Sequence, residues 1–197
     1  MCALKGQRKA RGAAPPGADR CAGRYIAERK GQGAFERPSF GLLTGMRSGE
    51  ICGLMAEDVL HKGNLGRVIK IQPNAIRQLK SRSAEREVPL HQILEQLLDT
   101  SLPKQGRLFP YLTVDAVVKR YAKLRRLYPE LQGSVFQSTR KWFITQCERT
   151  GTPEHFTASL VGHHSARSAN KLTYGLYSAG ISDAQKREIV DGVRLPK

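Results

Sequence analysis

Acid is what this sequence has little of. Its 197 residues carry 17 Asp and Glu against 33 Lys and Arg, a formal charge of +16. The isoelectric point is about 10.1. That surplus suits a polyanionic partner, with nucleic acid the commonest, although ribosomal and membrane-surface proteins share it. Cysteine is equally sparse. Cys2, Cys21, Cys52 and Cys147 stand far apart with no Cys-x-x-Cys, which argues against a zinc site or a disulfide framework and for a reducing cytoplasm. No apolar run reaches membrane-spanning length, and the first residues, MCALKGQRKARGAAPP, hold no apolar core of a secretory signal. Neither H-E-x-x-H nor G-x-x-x-x-G-K-[ST] occurs, no Ser-His-Asp set is evident, and no acidic cluster suits Mg²⁺. An enzyme made from this chain is expected to work without metal, nucleotide or other cofactor.

What is present divides in two. Residues 1 to about 38 are rich in Gly, Ala, Pro and Arg, lack apolar periodicity, and read as a disordered basic tail or the remnant of something longer. From residue 39 to 197 the chain is patterned as one domain. FGLLT reads as the end of a helix shortened by Pro38 and capped by Gly45, and a second helix is expected from Arg47 or Ser48 to about Met55. A Gly-Asn turn precedes strand formers Val68, Ile69 and Ile71, and REVPLH alternates as a partner strand. A basic connection, RQLKSRSAE, joins them. The rest is helical. HQILEQLLDT is short and amphipathic. In TVDAVVKRYAKLRRLY, Val114, Val117, Val118, Tyr121 and Leu124 form an apolar stripe opposite a basic face. QSTRKWFITQCERTG stops at Gly151, and Thr152-Pro153 opens a helix that ends at Gly162. Residues 167 to 177 read as helical, and SDAQ is a capping box for a last helix. The class is mainly α with a small antiparallel sheet of two or three strands, an α+β domain.

Polar residues cluster at the breaks between these elements: Arg47, Lys80, Gln137, Arg140, His163 and Tyr177. Two guanidiniums suit a phosphodiester whose oxygens gain charge under attack, because each is planar, always charged and bidentate. Cations nearby lower the pKa of a phenol, ordinarily about 10, and so make it a nucleophile. A lysine ammonium can protonate the departing alkoxide. Tyrosine, two arginines and lysine are therefore a sufficient kit for transesterifying DNA.

LLTGMRSGEICGL, LKSRSAEREVPLH, VFQSTRKWFITQ, SLVGHH and TYGLYSAG also come in the order of a known family. Over residues 40 to 195 the chain resembles the catalytic domain of the tyrosine recombinases, the phage-integrase family of mobile genetic elements. The resemblance implies the DNA breaking–rejoining fold and site-specific cleavage and rejoining of double-stranded DNA at attachment sites. It implies Arg47 and Arg140 as clamp arginines, Glu50 as support for Arg47, and Lys80 as the acid for the leaving 5′ oxygen. His163 would hydrogen-bond the scissile phosphate, and Tyr177 would form a 3′-phosphotyrosyl link. Arg47 would start its helix so that its side chain and nearby amides face a phosphate. The assembly implied is a homotetramer on DNA and a monomer off it, in a bacterial or phage-encoded, nucleoid-associated setting, with the last helix docking on a neighbour.

There are departures. Gln137 stands where the family has His or Lys, and Gln cannot relay a proton, a loss worth about 10²–10⁴-fold where nothing replaces it. Tyr174 is an alternative nucleophile to Tyr177. Arg77, Arg82 and Arg86 compete with Lys80 for notice. The family's core-binding domain has no counterpart ahead of residue 40. A truncated, impaired DNA-binding remnant and a type IB topoisomerase-like DNA-relaxing enzyme are the other two readings. His61, His91, His155 and His164 are left as surface or packing residues.

Overall fold

Two helices meet at residues 45 to 47, and the chain is arranged around that joint. The computed structural model describes residues 36–79, 84–98, 103–163 and 180–194. Helix α1, Glu36–Thr44, brings Phe40 and Leu43 fully into the core, with the Phe40 ring edge-on to Phe109 at 5.2 Å. Pro38 lies inside its first turn, where a missing N–H costs no helical bond. The helix thus begins at Glu36 and is not cut short by Pro38.

Gly45 ends α1 with φ +64°, and Phe143 Cδ1 and Val161 Cγ1 would lie 2.7 and 3.0 Å from a Cβ placed there. Backbone conformation and space both demand glycine. Gly45→Ala is expected to destabilise the domain by about 1–3 kcal/mol, read as a lower urea midpoint.

Helix α2, Ser48–Cys52, is shorter than the apolar spacing suggested. It stops because Gly53 caps it, and Met55 is drawn into an extended bridge with Arg107. A 3₁₀ turn, Ala56–Asp58, leads to a three-stranded antiparallel sheet in the order β1-β2-β3. The strands are β1 Val59–His61, β2 Arg67–Ile71 and β3 Arg86–Pro89. Ile69 pairs with Val59 on one side and Val88 on the other, all toward the centre of the sheet. The period of two puts Ile69, Ile71, Val88 and Leu90 in the core.

Buried between sheet and joint is Arg77. Its Nη2 meets Asp58 Oδ2 at 3.0 Å, Nε donates to the Gln72 carbonyl at 2.9 Å, and Nη1 reaches those of Gly53 and Glu50 at 3.3 and 3.5 Å. These bonds fasten the stretch after β2 to the end of α2.

Helix α3, Gln92–Leu98, and helix α4, Val114–Leu127, follow. Thr113 caps α4 by accepting from the Ala116 amide at 3.1 Å. The buried stripe of α4 is narrower than its sequence suggested. Val117 and Tyr121 are buried, but Val114 and Val118 are exposed. On the basic face Arg125 turns inward and donates to the Ser134 carbonyl at 3.0 Å.

Helix α5, Gln137–Arg149, packs along α1, and helix α6, Glu154–Val161, packs on α5 and β3. Cys52 and Cys147 are buried and free. Residues 167 to 177 lie outside the described residues.

Helix α7, Asp183–Gly192, opens with the expected capping box. Ser182 Oγ accepts from the Gln185 amide at 3.2 Å, and the Ser182 amide donates to Gln185 Oε1 at 3.0 Å. The helix lies on the sheet of its own chain, against β3 and the β1–β2 turn. Lys62 Nζ bridges Glu87 at 2.5 Å and Asp183 at 2.7 Å. Arg187 donates to the Leu65, Leu90 and Arg67 carbonyls and to Glu95. His91 is packed here. Its Nδ1 accepts from the Ile93 amide at 3.1 Å, which leaves Nε2–H to donate to the Val193 carbonyl at 3.0 Å.

Candidate active site

The joint between α1 and α2 makes the site. Arg47 precedes α2 in an extended conformation, φ −76° and ψ 153°. Its amide donates to Glu50 Oε2 at 2.9 Å and its Nη1 to Glu50 Oε1 at 2.9 Å. Glu50, in the first turn of α2, therefore holds both the amide and the guanidinium of Arg47. The backbone is a correction. The Arg47 amide is consumed by Glu50, so it is the side chain, 32 % exposed, that remains to meet an anion.

Glu50 is 4 % exposed and would be costly there alone. Arg86 completes its coordination. Nη1 meets Oε1 at 3.1 Å and Nη2 meets Oε2 at 2.8 Å, a bidentate pair. Burial alone would raise the Glu50 pKa. The hydrogen bonds and charge of Arg86, joined by the Arg47 amide and guanidinium, override it and hold the pKa at about 2.

Arg140, on α5, is 3 % exposed. Its Nη1 donates to the Gly45 carbonyl at 2.6 Å and its Nη2 to the Val161 carbonyl at 2.5 Å. Those oxygens lie at the C-terminal ends of α1 and α6, where partial negative charge favours a cation. Burial, then the charges of Arg47 and Arg86, opposed by Glu50, lower the Arg140 pKa to about 9.

Helix α6 ends at Gly162, left-handed with φ 65° and ψ 50°. The His163 amide reaches back to the Ala158 carbonyl at 2.9 Å, closing a Schellman turn. The imidazole is thereby placed on the surface beside the arginines. Partial burial, then Arg140, Arg47 and Arg86, push its pKa below the ordinary histidine value, with Glu50 opposing. It is neutral at pH 7 and can donate one hydrogen bond and accept another.

Gln137 opens α5 one turn before Arg140, exposed, in an open groove it shares with Ser48 and Arg125. It sits at the rim, next to the residue that follows Arg47. The structure thus brings together Arg47, Glu50, Arg140 and His163, with Gln137 alongside. Lys80, Tyr174, Tyr177, Arg82 and His164 lie outside the described residues. Of the other arginines weighed against Lys80, both described ones are committed to buried carboxylates, Arg77 to Asp58 and Arg86 to Glu50.

Arg86 is the residue that sequence reasoning passed over. The signal was its phase, since Arg86 and Val88 fall on one face of β3 and buried Leu90, just past it, keeps the same period. An arginine in step with core residues needs a buried acid, and Glu50 is that acid.

The arrangement is a cationic hollow: three guanidiniums around one carboxylate, with a neutral imidazole at its edge. Its excess of positive charge suits an anion.

Among solved structures the chain is similar to the integrase from mycobacterium phage Brujita, with a TM-score of 0.67 over 98% of this chain and 15% identity. The fold is that of the integrases. The Tn1549 transposon integrase, in complex with circular intermediate DNA, matches with a TM-score of 0.65 over 94% of this chain and 17% identity. Bound to transposon right end DNA, that integrase matches at 0.63, again with 17% identity. The chain spans 61% of the phage integrase chain and 67–68% of the transposon one. No protein-family model matches the chain, and no curated protein does. At such identity the likeness is one of fold, and within the integrase fold the cationic hollow lies where α1, α2, α5 and the end of α6 converge.

Proposed function

We propose that this domain cuts and rejoins double-stranded DNA at specific sites through a covalent phosphotyrosine, as a tyrosine-type recombinase of a mobile element. The observation that carries the reading is the convergence of Arg47 and Arg140, from separate helices 93 positions apart, on one hollow beside His163. A salt-bridged surface arginine would need no such arrangement. The integrase fold supports the same reading.

In this mechanism Arg47 and Arg140 hold the non-bridging oxygens of the scissile phosphate, and their charge counters what builds up in the transition state. His163, neutral, donates a hydrogen bond to one of those oxygens. The Tyr177 phenolic oxygen attacks phosphorus and loses its proton. A 3′-phosphotyrosyl ester forms, the bond to the 5′ oxygen breaks, and Lys80 gives that oxygen a proton. Attack by a 5′ hydroxyl from a second strand reverses each step. The ester conserves the energy of the broken bond, so neither ATP nor metal is called for. Gln137 contributes a hydrogen bond at the rim but no proton transfer. The working assembly we infer is a tetramer on two DNA sites formed from monomers, in the cytoplasm at the nucleoid.

The test is covalent trapping on nicked suicide duplexes that include candidate attachment sequences flanking the gene. The parent, Tyr177→Phe and Tyr174→Phe are compared. An adduct lost only in Tyr177→Phe is the expected result. An adduct lost only in Tyr174→Phe would keep the chemistry and move the nucleophile. No adduct from a folded, DNA-binding parent would sink the reading.

A further inference from the structure

We propose that Arg86 is a positioning residue for strand cleavage, aiming Arg47 through Glu50 and setting the charge around His163. The inference rests on the strand-cleavage reading above and adds to it a residue that touches neither phosphate nor nucleophile.

The geometry begins with a division of Glu50. The carboxylate accepts four hydrogen bonds, two from Arg86 and two from Arg47. Arg86 takes the fork-to-fork position, with both Nη atoms on both oxygens. Among the described residues, Arg47 gives Glu50 only one guanidinium nitrogen, Nη1, and its backbone amide. Among the described residues the rest of the Arg47 guanidinium stays available. If Arg86 were absent, Glu50 would have an unfilled buried face. The nearest cation able to fill it bidentately is Arg47 itself. Arg47 would turn inward, and the hollow would lose the cation that faces it.

Arg86 is also held more firmly than this one pair requires. It is 5 % exposed, its Nε donates to the Leu160 carbonyl at 2.7 Å, and its Nη1 also donates to the Ala84 carbonyl at 2.9 Å. Leu160 precedes Val161, whose carbonyl holds Arg140, and Gly162-His163 follow at once. A Cβ on Gly162 would come within 2.9 Å of Arg86 Nη1. One guanidinium therefore sits against the turn that carries His163, the start of the strand that follows the Lys80 stretch, and the acid that steadies Arg47.

The charges that bear on His163 come from every side. Arg140 stands on α5, Arg47 and Glu50 at α2, and Arg86 on β3. Glu148 and Glu154 line the same groove as the imidazole. Removing the Arg86 charge leaves Glu50 less compensated and moves His163 toward protonation.

Two readouts on the same proteins test the proposal: the rate of covalent trapping on the nicked duplex, and the ring titration of His163 followed by NMR on histidine-labelled protein, assigned with His163→Gln. Arg86→Gln is expected to slow trapping by about 10²-fold, the scale of a misplaced catalytic group, while DNA binding changes little. It is also expected to move the His163 titration upward. Arg86→Lys keeps the charge without the fork. It is expected to leave the titration near that of the parent and to recover only part of the rate. Arg86→Gln that traps and titrates like the parent overturns the proposal. Should that variant not fold, Arg86→Lys with parent-like trapping overturns it equally. A parent that forms no adduct sinks the cleavage reading, whereas a His163 shift confined to Arg86→Gln would still place Arg86 in control of the hollow.

Discussion

Glu50→Ala is expected to cost about 3–5 kcal/mol of folding free energy, the scale of breaking a buried ion pair from one side. Arg86 would be left with its two Glu50 bonds unmade inside the protein, and Arg47 would lose its amide and guanidinium bonds to Glu50. Urea unfolding measures the loss. Acid reaches the same group in the wild-type chain. The carboxyl is held at about 2 when folded, against 4.5 for the free group. Its folded pKa is depressed, so the unfolded chain binds the proton more readily. The stabilisation is complete above about pH 5 and is lost as pH falls toward 2. A shift of that size corresponds to roughly 3 kcal/mol. Glu50→Ala should therefore flatten the stability curve between pH 5 and 2. A variant with the parent's acid limb would show that the pair does not govern it.

Arg140→Ala is expected to slow covalent trapping by about 10²–10³-fold, the cost of losing one preorganised donor to a developing oxyanion. It removes more than a charge. The carbonyls of Gly45 and Val161 would lose their donor, at about 1–3 kcal/mol for each acceptor left buried without one. Trapping at matched folded fractions separates the two effects.

The pH dependence of Arg140 has the same sign as that of Glu50 but falls in an alkaline window. Its folded pKa, about 9, lies below the free value of 12.5. The unfolded chain holds more protons in that window, so this group's contribution to stability rises with pH from about 9 upward.

Local chemistry was legible in the sequence. Thr-Gly before Arg47 marked a helix joint, Glu50 fell in the first turn where the helix dipole favours an acid, and Ser182 with Gln185 marked a cap. Each needs only neighbours within a turn. What could not be read is what crosses the chain. Arg86 and Glu50 lie 36 positions apart, and nothing near either residue names the other. Asp58 and Arg77 are joined only because β1 and β2 pair back to back. Strand β1 has three residues, too few for alternation to stand out. The exposed Val114 and Val118 show the reverse error. Helical spacing marked them as core, but α4 turns a narrower face inward than its apolar residues could fill.

The cis docking of α7 has a consequence for the order of folding. Lys62 meets Asp183 across 121 positions, and Arg187 meets Leu65 across 122. Contacts so distant in the chain pay their loop-closure entropy before they return anything. On a ribosome the β1–β2 turn is made early, yet the Lys62 ammonium and Leu65 carbonyl it offers to α7 wait for Asp183 and Arg187 until α7 has left the exit tunnel. The sheet is finished last, by α7. The residues of the cationic hollow, 45 to 163, are thus all synthesised before α7 can lock onto the sheet beside them.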